Sequence, residues 1–552
     1  MRPGTHDPRK AIRISTLAMA ASAVLMLGEI EATQAQERGV GGVSQNSMSL
    51  TQSALKELVL ARRSESSGRS GANALEAFYA SRDFLPVWVG SEEAMRAGRQ
   101  VRTALMQAGQ QGLDSSAYRT SASETDDLPA PGKDAAHYDV SLSEALLRYA
   151  HDVRVGRVLP NNIYKDVGLP SADFDASAAL ALALKNGSVN AFLADLPPAH
   201  PEYRRLGEAL TRYRAIAARG GWSTVASANE GDDRNMKSLA ARLAMEDPIL
   251  ANNQNPSAGD LHEAINRYQK RNGLKADGKL GSPTLSALNI PVSIRIQQIT
   301  ANMERWRWMP SQFEHRYIAI NVPDQTLDFI QDGKVLLNSR VIVGRKTSPT
   351  PILRTVAHTL VANPPWNVPS DIAADQLLPH LRNNPNYLAA HNMVVMNGPA
   401  NDPRGTTIPW SSVTPGQFPY EIRQLPGPGS AMGTLMLDAP NDFDVYLHDT
   451  PGKAFFEQSE REVSNGCVRV QQIMPLASLA LTNDLTAGVS RLNEAIASHE
   501  TRSLALDDPL PIYMLYWTAV ADADGNVGFR PDRYNRDQPL IAALSKTMVA
   551  TR

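Results

Sequence analysis

Apolar residues recur with a helical period through the first half of the chain. Spacings of three and four residues place them on one face of a helix across residues 72–222 and again across residues 237–288. The clearest stripes are Tyr203, Leu206 and Leu210, and then Leu261, Ile265 and Tyr268. Both segments are therefore predicted to be packed helices.

The pattern changes after a helix predicted over Val292 to Trp308. Short runs rich in β-branched and aromatic residues, with turns such as Asp332-Gly333 between them, predict strands joined as hairpins. The predicted strands are Tyr317–Val322, Thr326–Ile330, Val335–Val343, Ala357–Ala362, Thr434–Leu437, Asp444–Leu447 and Ile512–Val520. Residues 364–419 interrupt them with many Pro and Gly residues and one helical piece, and such a long insertion predicts a lid.

Composition limits the classes of protein that remain. A chain of 552 residues predicts about three to four domains. Its 55 Lys and Arg against 57 Asp and Glu give a net charge of −2, which excludes the basic field of a typical nucleic-acid-binding protein. The single cysteine, Cys467, excludes a disulfide framework and any Cys-rich metal site. We expect no metal and no cofactor.

The first 35 residues have the pattern of an export signal. Basic residues precede an uncharged, mostly apolar run from Ile14 to Gly28, and small residues follow up to Ala35. This predicts a signal peptide over residues 1–35 and a periplasmic protein, with an uncleaved inner-membrane anchor as the alternative. No transmembrane domain is expected in the mature chain. Export leaves Cys467 as either an intermolecular linker or a working thiol.

Cys467 follows His448 by 19 positions and ends the turn Ser464-Asn465-Gly466-Cys467. A neighbouring imidazole can take the thiol proton and hold the thiolate as an ion pair. A turn of small residues leaves room for a carbonyl at the sulfur and can aim backbone N–H groups at an oxyanion. The spacing alone is weak evidence for catalysis, because buried free cysteines are common and inert. Arg461 and Arg469 flank the turn and could favour the thiolate, bind a carboxylate or anchor the loop.

Residues 445–470 resemble the signature of the YkuD-like L,D-transpeptidases, a histidine followed by S-x-G-C-[IV]-R. The residues in register are His448, Phe456, Arg461, Ser464, Gly466, Cys467 and Arg469. Three further stretches are similar to segments around that family's cleft: Val343-Gly344-Arg345 with Thr350-Pro351, Asn363 to Trp366, and Pro428 to Gly433.

Other segments resemble accessory parts of the large YcbB-type subgroup. Residues 264–289 are similar to the peptidoglycan-binding type 1 module. The motifs FYASRDFLPVWV (78–89) and NMERWRWMP (302–310) resemble parts of the same subgroup, which has a scaffold domain and a capping insertion.

The resemblance implies an α+β multidomain fold. It combines a mostly-β YkuD-like catalytic domain with a helical capping insertion, a small three-helix peptidoglycan-binding domain and a largely helical N-terminal scaffold domain. The expected boundaries are a signal at 1–35, a flexible linker at 36–71, the scaffold at 72–222, the peptidoglycan-binding domain at 234–291, the catalytic domain at 292–537 with its insertion at about 364–419, and a C-terminal tail at 538–552.

The resemblance also implies a mechanism. Cys467 attacks the L-centre carbonyl of diaminopimelate in a tetrapeptide stem and releases D-Ala, and the amine of a second stem resolves the thioester into a 3→3 cross-link. His448 serves as general base and then as general acid. Carbapenems are expected to acylate the cysteine. The resemblance implies three further groups of site residues. Ser464, Asn465, Gly466 and Arg469 would form the substrate or oxyanion loop, and Tyr446 and Trp366 would line the cleft, although Trp366 is equally expected as a core residue. Asp449, through its main chain, and Arg461 would be orienting residues.

Several other functions compete with this one. Water in place of the amine makes the protein an L,D-carboxypeptidase, and a lipoprotein lysine makes it a protein-attaching enzyme. A papain-like endopeptidase is disfavoured because its cysteine precedes its histidine, and a non-catalytic wall-binding protein is disfavoured by the intact His448–Cys467 pair. The expected partners are peptidoglycan stem peptides and cell-wall synthesis proteins, with no nucleic acid.

Overall fold

The computed structural model describes residues 45–65, 70–124, 129–226, 233–482 and 484–549. The predicted signal at 1–35 lies outside these ranges. Within them, no helix combines the length and the apolar character needed to cross a bilayer.

The N-terminal domain is a helical bundle around an apolar core of its own. Its helices are α1 Gln45–Glu65, α2 Ser70–Ala80, α3 Glu92–Met106, α4 Ser121–Glu124, α5 Lys133–Arg154, α6 Ala176–Lys185, α7 Val189–Asp195 and α8 Pro201–Ala218, with a short strand β1 at Val167–Gly168. The linker predicted at 36–71 includes a short helical patch at Leu50 to Ala61, and the structure has the longer helix α1 there. Helix α1 buries Leu55 and Val59, one turn apart, in the core of this bundle.

The motif at 78–89 wraps around one buried carboxylate of α5. Asp139 accepts hydrogen bonds from the backbone N–H groups of Val87 and Trp88 and from the hydroxyl of Tyr79. The indole of Trp88 donates to Ser143 on the next turn of the same helix, at 2.8 Å. These bonds satisfy polar groups that would be costly to bury unpaired, so the motif is structural.

The second domain is small and helical. It contains α9 Asp233–Ala244, α10 Pro248–Ala251, α11 Ala258–Arg271 and α12 Ser282–Leu288. Leu261, Ile265 and Tyr268 face its core as predicted, and the side chain of Ser257 caps α11 in a reciprocal capping box with Asp260.

The third domain begins with α13 Val292–Arg307 and is built on strands that close into a barrel. Its first strands are β2 Arg316–Asn321, β3 Thr326–Gln331, β4 Lys334–Gly344 and β5 Ile352–Ala362. The insertion then contributes β6 Trp366–Val368, α14 Ser370–Ile372, α15 Leu378–Asn383, α16 Tyr387–Ala390, β7 Met393–Val395 and β8 Ile422–Gln424. The rest is β9 Leu435–Asp438, β10 Leu447–His448, β11 Glu462–Ser464, β12 Val468–Val470, α17 Ile473–Leu481, α18 Leu485–Ala497, β13 Arg502–Leu515, β14 Ala519–Ala521, β15 Val527–Phe529 and α19 Asp537–Val549.

The strand order is β5-β13-β2-β3-β4-β12-β10-β9, and β9 pairs back with β5. The predicted hairpins β2–β3 and β3–β4 are present. Closure leaves these strands without a free edge along the path. The scaffold strand β1 joins the barrel by pairing with β5, where Val167 lies opposite Ile352.

Two expectations about this domain need correction. The predicted tail at 538–552 is helical over its described part, and α19 buries Leu540 and Leu544 in the core of the barrel domain. The insertion is not only helical, because β6, β8 and β7 form a three-stranded sheet around a separate apolar cluster. Its last strand, β8, ends at Gln424, beyond the predicted limit of 419.

Candidate active site

The site is built on two adjacent parallel strands, β10 and β12. Leu447 lies opposite Val468, and His448 lies opposite Arg469. Leu447 and Val468 are fully buried in the domain core. Because successive side chains of a strand point to opposite faces, the residues that flank these two lie together on the other face.

That other face carries Tyr446, His448, Cys467 and Arg469. The strand spacing and the rise per residue place the Cα atoms of His448 and Cys467 roughly 8 Å apart, within reach of an imidazole and a thiol that lean towards each other. Cys467 is partly exposed, whereas His448 is only 4% exposed. The two residues predicted from their spacing are therefore neighbours on one face.

The turn before Cys467 is held by its own side chains. The hydroxyl of Ser464 donates to the carbonyl of Cys467 at 2.6 Å and accepts the N–H of Gly466 at 3.2 Å. Gly466 has φ +116°, a conformation that L side chains rarely adopt. Ser464 is therefore buried inside the turn, and this fold of the turn leaves Cys467 partly exposed.

Two side chains from elsewhere orient the peptide groups around the sulfur. Thr350 Oγ1 donates to the carbonyl of Gly466 at 2.7 Å, so the N–H of Cys467, on the opposite side of that trans peptide, points away from Thr350. Asn441 Nδ2 binds the carbonyl that precedes Tyr446 in the same way, at 2.8 Å. The N–H groups of Tyr446 and Cys467 both face the sulfur and lower the pKa of the thiol.

Burial outweighs these donors and raises the pKa of Cys467 above its ordinary value. Burial, reinforced by the charge of Arg469, also lowers the pKa of His448 to about 4, although the backbone groups of Asp449 and Met432 oppose the shift. At neutral pH the site therefore holds a thiol and a neutral imidazole. These pKa directions favour the neutral pair over the expected thiolate–imidazolium pair, because a buried ion pair must overcome the desolvation of both charges.

The two expected orienting residues act differently. The carboxylate of Asp449 accepts the N–H and the hydroxyl of Thr434, each at 3.0 Å, and pairs with Lys453; its main chain, and more weakly its charge, raise the pKa of His448. Arg461 does not reach the histidine; instead its buried guanidinium anchors the loop. It donates to the carbonyls of Val341, Gln458 and Gln325.

Comparisons with known proteins bear on this geometry. Residues 315–487 match the family model described as "L,D-transpeptidase catalytic domain". The chain carries an L,D-transpeptidase catalytic domain. A "Scaffold domain" matches residues 73–210, and a "Putative peptidoglycan binding domain" matches residues 254–288. The resemblance in the sequence and the multidomain fold class are thereby confirmed.

Relatives of this transpeptidase domain are also found among whole proteins. The chain is 35% identical over 249 residues to the "Putative L,D-transpeptidase" of Haemophilus influenzae, which covers 45% of this chain and 49% of that protein. The chain thus spans about half the length of this curated relative.

Two solved structures are similar at 14% sequence identity. One, "Structure of the Ldtfm-avibactam carbamoyl enzyme", covers 37% of this chain and 49% of its own with a TM-score of 0.18. The other, an L,D-transpeptidase (Yku) from Stackebrandtia nassauensis, covers 53% and 96% with a TM-score of 0.20. At these scores neither likeness defines the fold or the activity of this chain.

The capping insertion of the transpeptidase domain contacts both loops of the site. Gln376, in the π-helical turn Ala373–Leu377, donates to Asn465 Oδ1 at 3.2 Å, beside the cysteine. At the other end of the insertion, Gln424 accepts the N–H of Ala431 at 2.8 Å, next to the Met432 backbone that faces His448. The insertion therefore covers the strand ends from two sides.

The two expected cleft aromatics occupy different environments. Tyr446 is half-buried and lies on the same face as Cys467. Its pKa is raised first by burial, then by nearby carboxylates and then by the charge of Cys467. Trp366 begins β6 and packs against the apolar cluster of the insertion. Of its two expected roles, the packing contacts support the core role.

The structure adds residues that the sequence interpretation missed. Thr350 and Arg345 fell within a stretch that resembled the family, which was the signal that could have identified them. Asn441 and Gln376 had no such signal, since Asn441 acts through a local bond to the carbonyl of Val445 and Gln376 binds the side chain of Asn465, which is far along the chain. Among the described residues, no group of three or more His, Cys, Asp or Glu side chains could hold a metal ion.

Proposed function

We propose that this protein is a periplasmic L,D-transpeptidase that forms 3→3 cross-links between peptidoglycan stem peptides through a Cys467 acyl-enzyme. The observation that carries the proposal is the parallel pairing of β10 with β12, which gathers His448, Cys467 and Arg469 on one face. The neighbouring peptidoglycan-binding domain supports a wall substrate.

The proposed reaction begins from the neutral thiol of Cys467 and the neutral imidazole of His448. Cys467 attacks the L-centre carbonyl of the donor stem while its proton passes to His448, so no separated charge exists before the substrate arrives. The N–H groups of Cys467 and Tyr446 are suitably aimed to stabilise the oxyanion. His448 then protonates the departing D-Ala amine. The acceptor amine attacks the thioester and gives up a proton through the same imidazole, and the thiol is restored.

The second half-reaction decides between the transpeptidase and an L,D-carboxypeptidase. The contact of Gln376 with Asn465 holds the insertion over the nucleophile loop, and a covered thioester is shielded from water. This contact favours an amine acceptor. Attachment of a lipoprotein lysine uses the same acyl-enzyme and is distinguished by its product.

The test is incubation of purified tetrapeptide muropeptides with the wild type, Cys467→Ala and Cys467→Ser, followed by mass spectrometry of the products. We expect the wild type to release D-Ala and form dimers, and both variants to lose at least about 1,000-fold in rate while keeping the wild-type unfolding temperature, because the thiol is the nucleophile. A carbapenem should add its mass to the wild type alone. Full turnover by Cys467→Ala would disprove the assignment, and tripeptide without dimers would identify the carboxypeptidase.

A further inference from the structure

Two arginines beside the cysteine have no partner for their charge. Arg469 lies two residues after Cys467 on the same strand face, and Arg345 follows β4, with its N–H bound to the carbonyl of Ser464 at 2.9 Å. Within the described residues, neither side chain forms an ion pair or a hydrogen bond, and the Nε atoms of both are buried without a partner. Both side chains are partly exposed, so their terminal nitrogens, which have no partner in the described part of the chain, are available to bind an anionic ligand.

The two charges also act on each other. Arg345 lowers the pKa of Arg469, after burial, and the only opposing influence on Arg469 is the thiol of Cys467. Other arginines of the domain show the contrast, since Arg461 binds three backbone carbonyls and Arg533 binds Glu462. Uncompensated positive charge is thus concentrated at the nucleophile.

We propose that Arg345 and Arg469 form a carboxylate-binding subsite that holds the donor stem by one of its free carboxylates. This rests on the proposed function, whose donor stem offers two such groups: the α-carboxylate of the leaving D-Ala and the free side-chain carboxylate of diaminopimelate. A guanidinium binds a carboxylate through two parallel hydrogen bonds, which would fix the direction of the stem as well as its position. Arg345 and Arg469 are therefore positioning residues of the donor site.

The test combines arginine variants with amidated donor stems. The variants are Arg345→Gln and Arg469→Gln, with Arg345→Lys and Arg469→Lys to retain the charge. The stems are the native tetrapeptide, one with a terminal D-alaninamide and one with an amidated diaminopimelate side chain. The rate of leaving-residue release is measured for every combination. Arg491→Gln is the matched control, because Arg491 is an exposed arginine that pairs only loosely with Asp507, at 3.6 Å.

For the native stem we expect KM to rise about 10- to 100-fold in the glutamine variants, with partial recovery in the lysine variants. In the wild type, one of the two amidations should raise KM by a similar factor. The same amidation should raise KM hardly further in Arg345→Gln, and it identifies which carboxylate of the stem the arginines bind. Arg345→Gln is the decisive variant. Arg469 also lowers the pKa of His448, so an Arg469 variant could change kcat for a reason unrelated to carboxylate binding.

The proposal is overturned if neither amidation interacts with either arginine, that is, if each weakens the wild type and the variants equally. It is also overturned if the glutamine variants match Arg491→Gln. Failure of the proposed function has a different signature, since the wild type would then release D-Ala from no stem or would release it without forming dimers.

Discussion

The protonation state of Cys467 decides how its chemistry begins. The thiol and the imidazole share one face of the sheet, and partial burial of Cys467 and full burial of His448 disfavour the charged form of each. Arg469 adds to the effect by opposing a second positive charge on His448. In the proposed mechanism, these pKa directions favour a proton transfer made during attack over a standing thiolate.

This predicts how alkylation of the cysteine depends on pH. Because the thiol pKa is raised, the thiolate fraction is small at neutral pH and should increase about tenfold per pH unit from pH 6 to pH 8. The rate of iodoacetamide addition, followed by intact mass, should rise with the same slope, and Cys467 is the only cysteine that can react. A rate that is already constant below pH 7 would show that a thiolate–imidazolium pair exists.

Turnover of the stem should depend on pH differently. The depressed pKa of His448, about 4, keeps the imidazole neutral and able to accept a proton well below its ordinary pKa near 6.5. We therefore expect kcat/KM to stay level from neutral pH down to about pH 5. In Arg469→Gln the acid limit should move to higher pH, because the charge that lowers the pKa of His448 is gone. A wild-type acid limit near pH 6.5 would contradict the burial argument.

Among the elements outside the strands of the site, the capping insertion contacts the loop that carries Cys467. A π-helical turn shifts the phase of a helix and is frequent at functional sites, and here it directs Gln376 at Asn465. The insertion keeps its shape independently of this contact, because its three strands and short helices surround an apolar cluster of their own. It can therefore act as a cover held closed by a few polar contacts.

We predict that Gln376→Ala changes the products more than the rate. Loss of the bond to Asn465 should let water reach the thioester, so the ratio of tripeptide to dimer should rise about three- to tenfold, a change of order 1 kcal/mol that matches one hydrogen bond. Mass spectrometry of the muropeptides gives the ratio directly. Gln417→Ala is the control, since Gln417 is exposed on the same insertion. An equal ratio in both variants would reject a shielding role for this contact.

The elements also show what sequence patterns can and cannot specify. Strands β2 to β4 are runs of six or more residues rich in β-branched and aromatic side chains, and they begin and end within two residues of the prediction. Strands of two or three residues, such as β1 and β6, are too short for any period to mark them. Helix α19 was mistaken for a tail because only its packing against the barrel shows that it belongs there.

The same limit applies to the site. Cys467 and His448 could be identified from their residue types and the family resemblance, but the face that they share depends on the register between β10 and β12. A shift of one residue in that register would separate them. Thr350, more than a hundred residues earlier, has its role only because the barrel brings it to Gly466.

At the scale of the whole molecule, α13 joins the scaffold to the barrel. Glu304 is completely buried on this helix, and its carboxylate accepts the backbone N–H groups of Arg157 and Val158 from the scaffold while pairing with Arg307 at 2.7 Å. One turn of the same helix thus connects two domains through a single carboxylate. This explains the motif at 302–310, whose charged residues would otherwise be out of place in a core.

We predict that Glu304→Gln destabilises this joint strongly. Arg307 would stay buried without its counter-charge, and removing one partner of a buried pair costs about 3–5 kcal/mol. Calorimetry should therefore show a lower unfolding temperature, and the scaffold should become sensitive to protease before the barrel does. The control is Glu202→Gln, because Glu202 lies in a partly exposed, long pair with Arg205 at 3.5 Å that should contribute no more than about 1 kcal/mol. Glu304→Gln combined with Arg307→Met should recover part of the loss, since the unpaired charge is then removed as well. If Glu304→Gln unfolds at the same temperature as Glu202→Gln, the domains are held together by apolar packing around α13, and the buried pair contributes little to their attachment.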